Sequence, residues 1–251
     1  MARIDTLTNF LTDVATSIKA KKGDSTPIPA ANFDTEITNL PSGDNSMLIS
    51  LIDRTATSFE IPEGTTSIGN SAFEDCNVLT SITIPDSVTS IGGSAFEDCY
   101  DLTIVTIPDS VTRIGSSAFS GCTGLTSVTI PDRVTSIDSS AFDSCTGLTS
   151  VTIGDSVTII GNYAFCDCTG LTSITIPGSV TSIGNFAFGR CTNLTEIDFS
   201  THNAVPTLAN TNVFKNTSAN LVIKVPSALV DEWKAATNWS TYADKIVGVR
   251  L

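Results

Sequence analysis

Leu79-Thr80-Ser81-Ile82-Thr83-Ile84-Pro85-Asp86-Ser87-Val88-Thr89-Ser90-Ile91-Gly92-Gly93-Ser94-Ala95-Phe96-Glu97-Asp98-Cys99-Tyr100-Asp101 is one period of a pattern that decides the fold. The same residue types return in phase along the chain: Phe73, Phe96, Phe119, Phe142, Phe165 and Phe188, then Cys76, Cys99, Cys122, Cys145, Cys168 and Cys191. Leu79, Leu102, Leu125, Leu148, Leu171 and Leu194 keep the same step. Apolar residues held in register over six copies place the same side chain in the same interior slot of successive coils. A coil that cannot bury its apolar face alone must stack on its neighbours, so the pattern predicts a solenoid.

Within the period, Ser81-Ile82-Thr83-Ile84 alternates polar and apolar, the mark of a half-buried strand. Pro85-Asp86-Ser87 ends it, since Pro has no N–H for a ladder. Val88 and Ile91 form a second short extended piece, and Gly92 allows the next corner. Ala95-Phe96-x-x-Cys99 reads as one helical or 3₁₀ turn that fills the interior. The copies depart little: Gly154 replaces the turn Pro, Gly178 the turn Asp and Asp138 the corner Gly, and none is expected to break the stack.

The six Ala-Phe-x-x-Cys copies and the Leu-Thr-x-Ile-x-Ile-Pro-x-x-Val-x-x-Ile-Gly run resemble the BspA-type leucine-rich repeat, over roughly 57–223. The resemblance implies a right-handed, mainly β leucine-rich-repeat solenoid with a parallel sheet on one face. The chain divides into an N-terminal helical module and linker (1–46), the solenoid (47–225) and a C-terminal helical cap (226–251).

In the first part, Ile4, Leu7, Leu11, Val14 and Ile18 step by three and four along one narrow seam, a surface for self-association as a homotrimer or for a local hairpin. Lys19, Lys21 and Lys22 suit the end of that helix and Gly23 its stop. A second short helix follows from Ala31, then a linker at 41–46 and a first strand over 47–52. The run from Leu11 to Gly23, with Ile28-Pro29 and Phe33, also resembles a short module of phage and prophage tail proteins. In the cap, Val213-Phe214 echoes Ala-Phe and Leu221 to Pro226 is the last strand. Ser227 is placed to cap a helix through Ala235, with Leu229, Val230, Trp233, Trp239, Tyr242 and Ile246 sealing the final coil.

Composition excludes several functions. Lys and Arg number 13 against 26 Asp and Glu, and a net charge of -13 repels phosphate backbones and anionic lipid, so no nucleic acid is expected as partner. No stretch reaches the roughly 18 apolar residues that span a bilayer, and Met1-Ala2-Arg3 opens no signal-peptide pattern. The repeat cysteines read as a column of reduced core thiols, with Cys166 off the column and nearer solvent. No metal, cofactor or catalytic residue is expected: His202, the sole histidine, lies outside the repeats and has no nucleophile paired with it. Asp86, Asp109, Asp132 and Asp155 read as caps of their own turns rather than a cation column, and Glu74-Asp75 and Glu97-Asp98 as a solvated edge.

The binding surface is then the exposed sheet face. Thr83, Thr106, Thr129, Thr152, Thr175 and Asp198 form one outward column; Ser81, Ile104, Ser127, Ser150, Ser173 and Glu196 form its neighbour. These features describe a non-enzymatic recognition protein. The first reading is a phage or prophage tail protein binding a cell-surface polysaccharide or protein. The alternative is a bacterial surface adhesin contacting host proteins or other bacteria. Ice binding by the Thr columns is a third class.

Overall fold

The computed structural model describes residues 55–250, so the expectations for 1–46, including the seam from Ile4 to Ile18, and the first strand expected over 47–52 lie outside the described residues. From Thr55 onward the chain winds into stacked coils, each contributing one strand to each of two parallel β-columns. On the front run β1 (Ser58–Glu60), β3 (Ser81–Thr83), β5 (Ile104–Val105), β7 (Ser127–Ile130) and β9 (Ser150–Ile153), paired in that order. The second column is a continuous sheet of β2 (Ser67–Ile68), β4 (Ser90–Ile91), β6 (Arg113–Ile114), β8 (Ser136–Ile137), β10 (Ile159–Ile160), β12 (Ser182–Ile183) and β14 (Thr207–Leu208). The sequence reading placed a sheet on one face; the second extended piece also forms a continuous ladder.

Register confirms the period directly. Ser58 pairs with Ser81, Ser81 with Ile104, Ile104 with Ser127 and Ser127 with Ser150. The front column is interrupted once, between β9 and a second sheet of β11 (Ser173–Thr175), β13 (Glu196–Asp198), β15 (Val222–Pro226) and β16 (Ile246–Val249). Strand β16 was not read from the sequence. It pairs parallel with β15 and carries the sheet one strand past the expected end.

Two side-chain ladders stitch the coils. The Thr80 hydroxyl and N–H both donate to the Thr57 carbonyl, each at 2.8 Å. Thr103, Thr126 and Thr149 repeat this bond along the front edge, and Thr89, Thr112, Thr158 and Thr181 along the second sheet. A hydroxyl that reaches the neighbouring coil's carbonyl satisfies backbone polarity where the turn ladder ends.

The interior is a stack of rings. From Phe73 through Phe96, Phe119, Phe142, Phe165 and Phe188, successive centroids lie 5.1–5.6 Å apart, with planes within 10° of parallel. The repeat cysteines from Cys99 to Cys191 share a specific task in this core. The Cys145 thiol donates to the Phe119 carbonyl of the preceding coil at 3.1 Å, and Cys99, Cys122, Cys168 and Cys191 do likewise. That carbonyl also accepts the N–H of its own coil's cysteine, Cys122, at 3.2 Å. Ala would leave the second bond unmade. Ser would bury a costlier hydroxyl, so a small apolar side chain with a weak donor suits the slot.

All seven cysteines are buried thiols, and no disulfide joins them. Burial pushes Cys122 and Cys191 up to about 12, which leaves almost no thiolate at neutral pH. Iodoacetamide at pH 8 should therefore leave the native chain unlabelled and modify all seven thiols in denaturant; rapid native labelling would contradict this core.

At the C-terminal end, α1 (Val230–Ala235) follows a 3₁₀ turn over Ser227–Leu229. Neither element has a side-chain cap, so Ser227 does not cap the helix as expected. The seal itself forms as read. Trp233 and Trp239 are fully buried, at 4.6 Å edge to face, and both pack on Phe199. Trp239 donates to the Pro206 carbonyl at 2.7 Å.

Candidate functional site

The front column brings the expected surface residues together. Ser81, Thr83, Ile104, Thr106, Ser127, Thr129, Ser150 and Thr152 are all exposed along one strip. Among the described residues, the hydroxyls of these serines and threonines make no hydrogen bond, unlike those of the ladder threonines. Ile104 is 61% exposed in the middle of this strip, an aliphatic side chain set in a hydroxyl field. Ser173 and Thr175 are exposed too, but beyond the interruption after β9. Glu196 and Asp198 are not open in the same way. Lys224 holds Glu196 at 2.7 Å, and Asp198 accepts the Ser200 N–H at 2.7 Å.

Four sequence readings are corrected. Cys166 is buried, not near solvent. It occupies the slot of Glu74, Glu97, Ser120 and Asp143 in earlier coils, on the inner side of the Tyr163 segment. Its thiol lies 3.6 Å from Asp167 Oδ2 and 3.7 Å from the Arg190 guanidinium, and burial pushes it up to about 11. Asp143, Cys166 and Asp167 offer three ligand atoms within 4.8 Å of one another. A cation is already present there, because Arg190 bonds Asp167 at 2.7 Å.

The turn aspartates do not cap their own turns. Asp132 alone of the four makes a side-chain bond, accepting the Asp155 N–H of the next coil at 3.0 Å. Glu74, Asp75, Glu97 and Asp98 are half-buried rather than a fully solvated edge.

His202 lies inside the repeat. It continues the series Ser87, Ser110, Arg133, Ser156 and Ser179. Its Nε2 meets the Val180 carbonyl at 3.2 Å, where Ser110 and Ser179 hydroxyls donate to Val88 and Val157. It is a buried structural substitute for a serine, and its Nδ1 has no partner.

Burial holds the His202 imidazole below its usual 6.5, against the opposing pull of the Val180 and Phe199 carbonyls and of Asp198. The unfolded chain therefore takes up a proton at about 6.5 that the folded chain refuses. Its contribution to stability is full above that pH and is lost as pH falls below it, by up to about 1.4 kcal/mol per pH unit. The melting temperature of His202→Ser should then vary less between pH 7.5 and 5.5 than that of the parent. Comparing the two chains separates the histidine from carboxylates such as Asp143, whose burial raises its value and gives the opposite slope at lower pH. Equal slopes would refute the assignment.

The structure adds a site that sequence reading passed over. Each coil carries a residue in the left-handed region just before Ala-Phe: Ser71, Ser94, Ser117 and Ser140, then Tyr163 at φ 58° and Phe186 at φ 53°. This backbone costs a bulky residue about 1–2 kcal/mol, whereas short polar residues tolerate it through local hydrogen bonds. Tyr163 and Phe186 nevertheless stack at 5.4 Å with planes 2° apart, outside the core. Gly189 makes room: a Cβ there would lie 2.5 Å from the Phe186 ring. The signal was legible in Asn162-Tyr163-Ala164-Phe165-Cys166 and Asn185-Phe186-Ala187-Phe188-Gly189, where a large residue enters and a small one follows three later.

A further open cleft of about 470 Å³ lies beside the second sheet, lined by Ser67, Asn70, Ser90, Gly92, Ser116 and Arg113. Arg113 is mostly exposed and reaches Asp138 at 3.4 Å. Among the described residues, no helix is long and apolar enough to cross a membrane.

Comparison with known proteins agrees with this geometry. A leucine-rich repeat protein from Bacteroides ovatus is 26% identical, with a TM-score of 0.59 over 78% of this chain and 55% of its own. One from Eubacterium ventriosum is 28% identical, with a TM-score of 0.59 over 65% of this chain and 44% of its own. The chain thus spans about half the length of these solved proteins. No curated protein matches it. The model of the BspA type leucine rich repeat region matches six copies, over residues 53–172 and 113–232, most of the chain, and the chain belongs to that family.

Proposed function

We propose that this chain is a non-enzymatic adhesion protein of a bacterial surface, whose front face binds a protein partner on a host or another bacterium. The observation that carries the proposal is the front strip itself. It is a flat shelf of hydroxyls without partners among the described residues around the exposed Ile104, on a scaffold whose edge threonines Thr103, Thr126 and Thr149 are tied into a ladder. Interfaces combine an apolar centre with a polar rim of satisfied hydrogen bonds, and Ile104 among Ser81, Thr83, Ser127 and Thr129 supplies both. Membership of a repeat family that stacks into extended binding surfaces supports the same reading.

Residues 1–46 serve this function as an attachment or trimerisation module, and light scattering with and without them tests that part. The phage-tail reading draws on residues 11–33, and the described residues add nothing to it.

The test is attachment of the purified chain to immobilised extracellular-matrix proteins and to whole bacterial cells. Ile104→Asp and Thr129→Arg place a charge on the shelf without touching the core, so both should abolish attachment and leave the melting temperature unchanged. Binding to neither surface, or undiminished binding by both variants, would overturn the proposal.

A further inference from the structure

We propose that the open face of Tyr163 is a subsite for a neutral saccharide ring, distinct from the front strip. The argument begins from the exterior stack. Phe186 covers one face of Tyr163 at 5.4 Å, and Lys215 lies over the Phe186 ring at 5.8 Å. The other face of Tyr163 looks along the same column to Ser140, whose side chain is too short to cover it. Tyr163 is 37% exposed in consequence. The column thus holds a row of ring-sized slots, two filled by aromatic residues and the next one open.

The surroundings select the occupant. Asn162 and Ser139 are exposed beside the open slot, and Asn185 Nδ2 donates to the Tyr163 hydroxyl at 3.5 Å, holding the phenol in line. Asn210 in turn donates to Asn185 Oδ1 at 2.8 Å, so the amides form a ladder behind the ring. An apolar ring face with the Asn162 amide, whose Oδ1 accepts the Asn185 N–H at 2.7 Å, and the Ser139 hydroxyl beside it matches a pyranose, which has an apolar C–H face and a hydroxylated rim.

Charge narrows the choice further. A chain of net charge -13 repels anionic polymers, and the ring face with its amide and hydroxyl neighbours matches a saccharide without needing a charge on it, so the ligand proposed is a neutral ring. Backbone strain points the same way: four coils place Ser at this position, and only these two accept the cost of an aromatic residue in the left-handed region.

The experiment is native affinity electrophoresis of the full chain in gels containing a soluble mixed-linkage β-glucan, xyloglucan, mannan or amylopectin, with polygalacturonate as the anionic arm. Wild type should be retarded by at least one neutral polysaccharide. Tyr163→Ser installs the residue that Ser140 already provides one coil earlier, so it should fold normally and bind about tenfold more weakly, the scale of a lost ring-stacking contact. Tyr163→Phe keeps the ring and should stay within about twofold of wild type. Ile104→Asp should be retarded as wild type is, which separates this subsite from the front strip.

No retardation by any of the four neutral polymers would overturn the proposal. So would stronger retardation by polygalacturonate, equal retardation of Tyr163→Ser, or loss of retardation in Ile104→Asp.

Discussion

Phe142→Ala is expected to lower unfolding free energy by about 3–5 kcal/mol, the largest effect of any single change considered. The ring is fully buried and lies between Phe119 and Phe165, 5.4 Å from each. Removing it deletes two ring contacts and opens a cavity that neither neighbour can fill, because each is fixed in its own coil by backbone bonds. Phe142 N–H donates to Ala164 at 2.9 Å, and Phe119 N–H to Ala141 at 2.8 Å.

In a stacked array each coil is held by its nearest neighbours, so a defect in the middle weakens two interfaces at once. Phe73→Ala, nearer the first described coil, should cost less. There the next ring is Phe59, tilted by 57° rather than stacked. Equilibrium urea unfolding followed by circular dichroism measures both, and a cost below about 1.5 kcal/mol for Phe142→Ala would contradict a close-packed ring column.

The second large effect is predicted at a corner glycine. A Cβ on Gly184 would lie 2.4 Å from the Asn162 backbone N and 2.5 Å from the Gly161 carbonyl carbon. Both are backbone atoms of the preceding coil, so nothing can swing aside and the coils themselves must separate. Overpacking of this kind costs about 1–3 kcal/mol, and the upper end is expected because the obstruction is main chain. Gly93→Ala is the matched control. Its nearest backbone neighbour is the Ser116 carbonyl at 3.3 Å, a distance that a small adjustment accommodates.

The chain already contains a version of the experiment. Asp138 stands where Gly92, Gly115, Gly161 and Gly184 stand in other coils. There the pairing of β6 with β8 narrows to the single pair Ile114↔Ile137, whereas β4–β6 and β8–β10 each hold two. Asp138→Gly should restore the second pair and raise the melting temperature. The exposed Arg113–Asp138 bridge it removes contributes little. A Gly184→Ala chain as stable as Gly93→Ala would show that the corners have slack.

The repeated part of the core was legible because it is periodic. A residue such as Phe142 is reported six times over, so its burial follows from the repeat without any propensity argument. The front strip was legible for the same reason, through the alternation of Ser127, Val128, Thr129 and Ile130. What escaped was aperiodic.

Cys166 looked exposed because it lies off the cysteine column, in a slot that holds Glu, Ser or Asp in earlier coils, and the sequence does not show that this slot is closed in its own coil. His202 looked isolated because the serine it replaces shares no chemistry with it beyond reaching one carbonyl. Tyr163 and Phe186 stand out in the sequence only as large residues where earlier copies have Ser; the left-handed backbone beneath them is what makes their size costly. Strand β16 was hidden because Ile246-Val247-Gly248-Val249 follows a cap and has no equivalent in the repeat.

One consequence of the threonine ladders concerns the length of the molecule. From Thr80 to Thr195 each rung joins residues one period apart, so excising a whole unit, such as residues 112–134, leaves each remaining donor in that span facing an acceptor of the same kind. The gene can therefore gain or lose rungs by unequal recombination while the ladder contacts are remade in kind, and the length of the solenoid becomes a heritable variable independent of its chemistry.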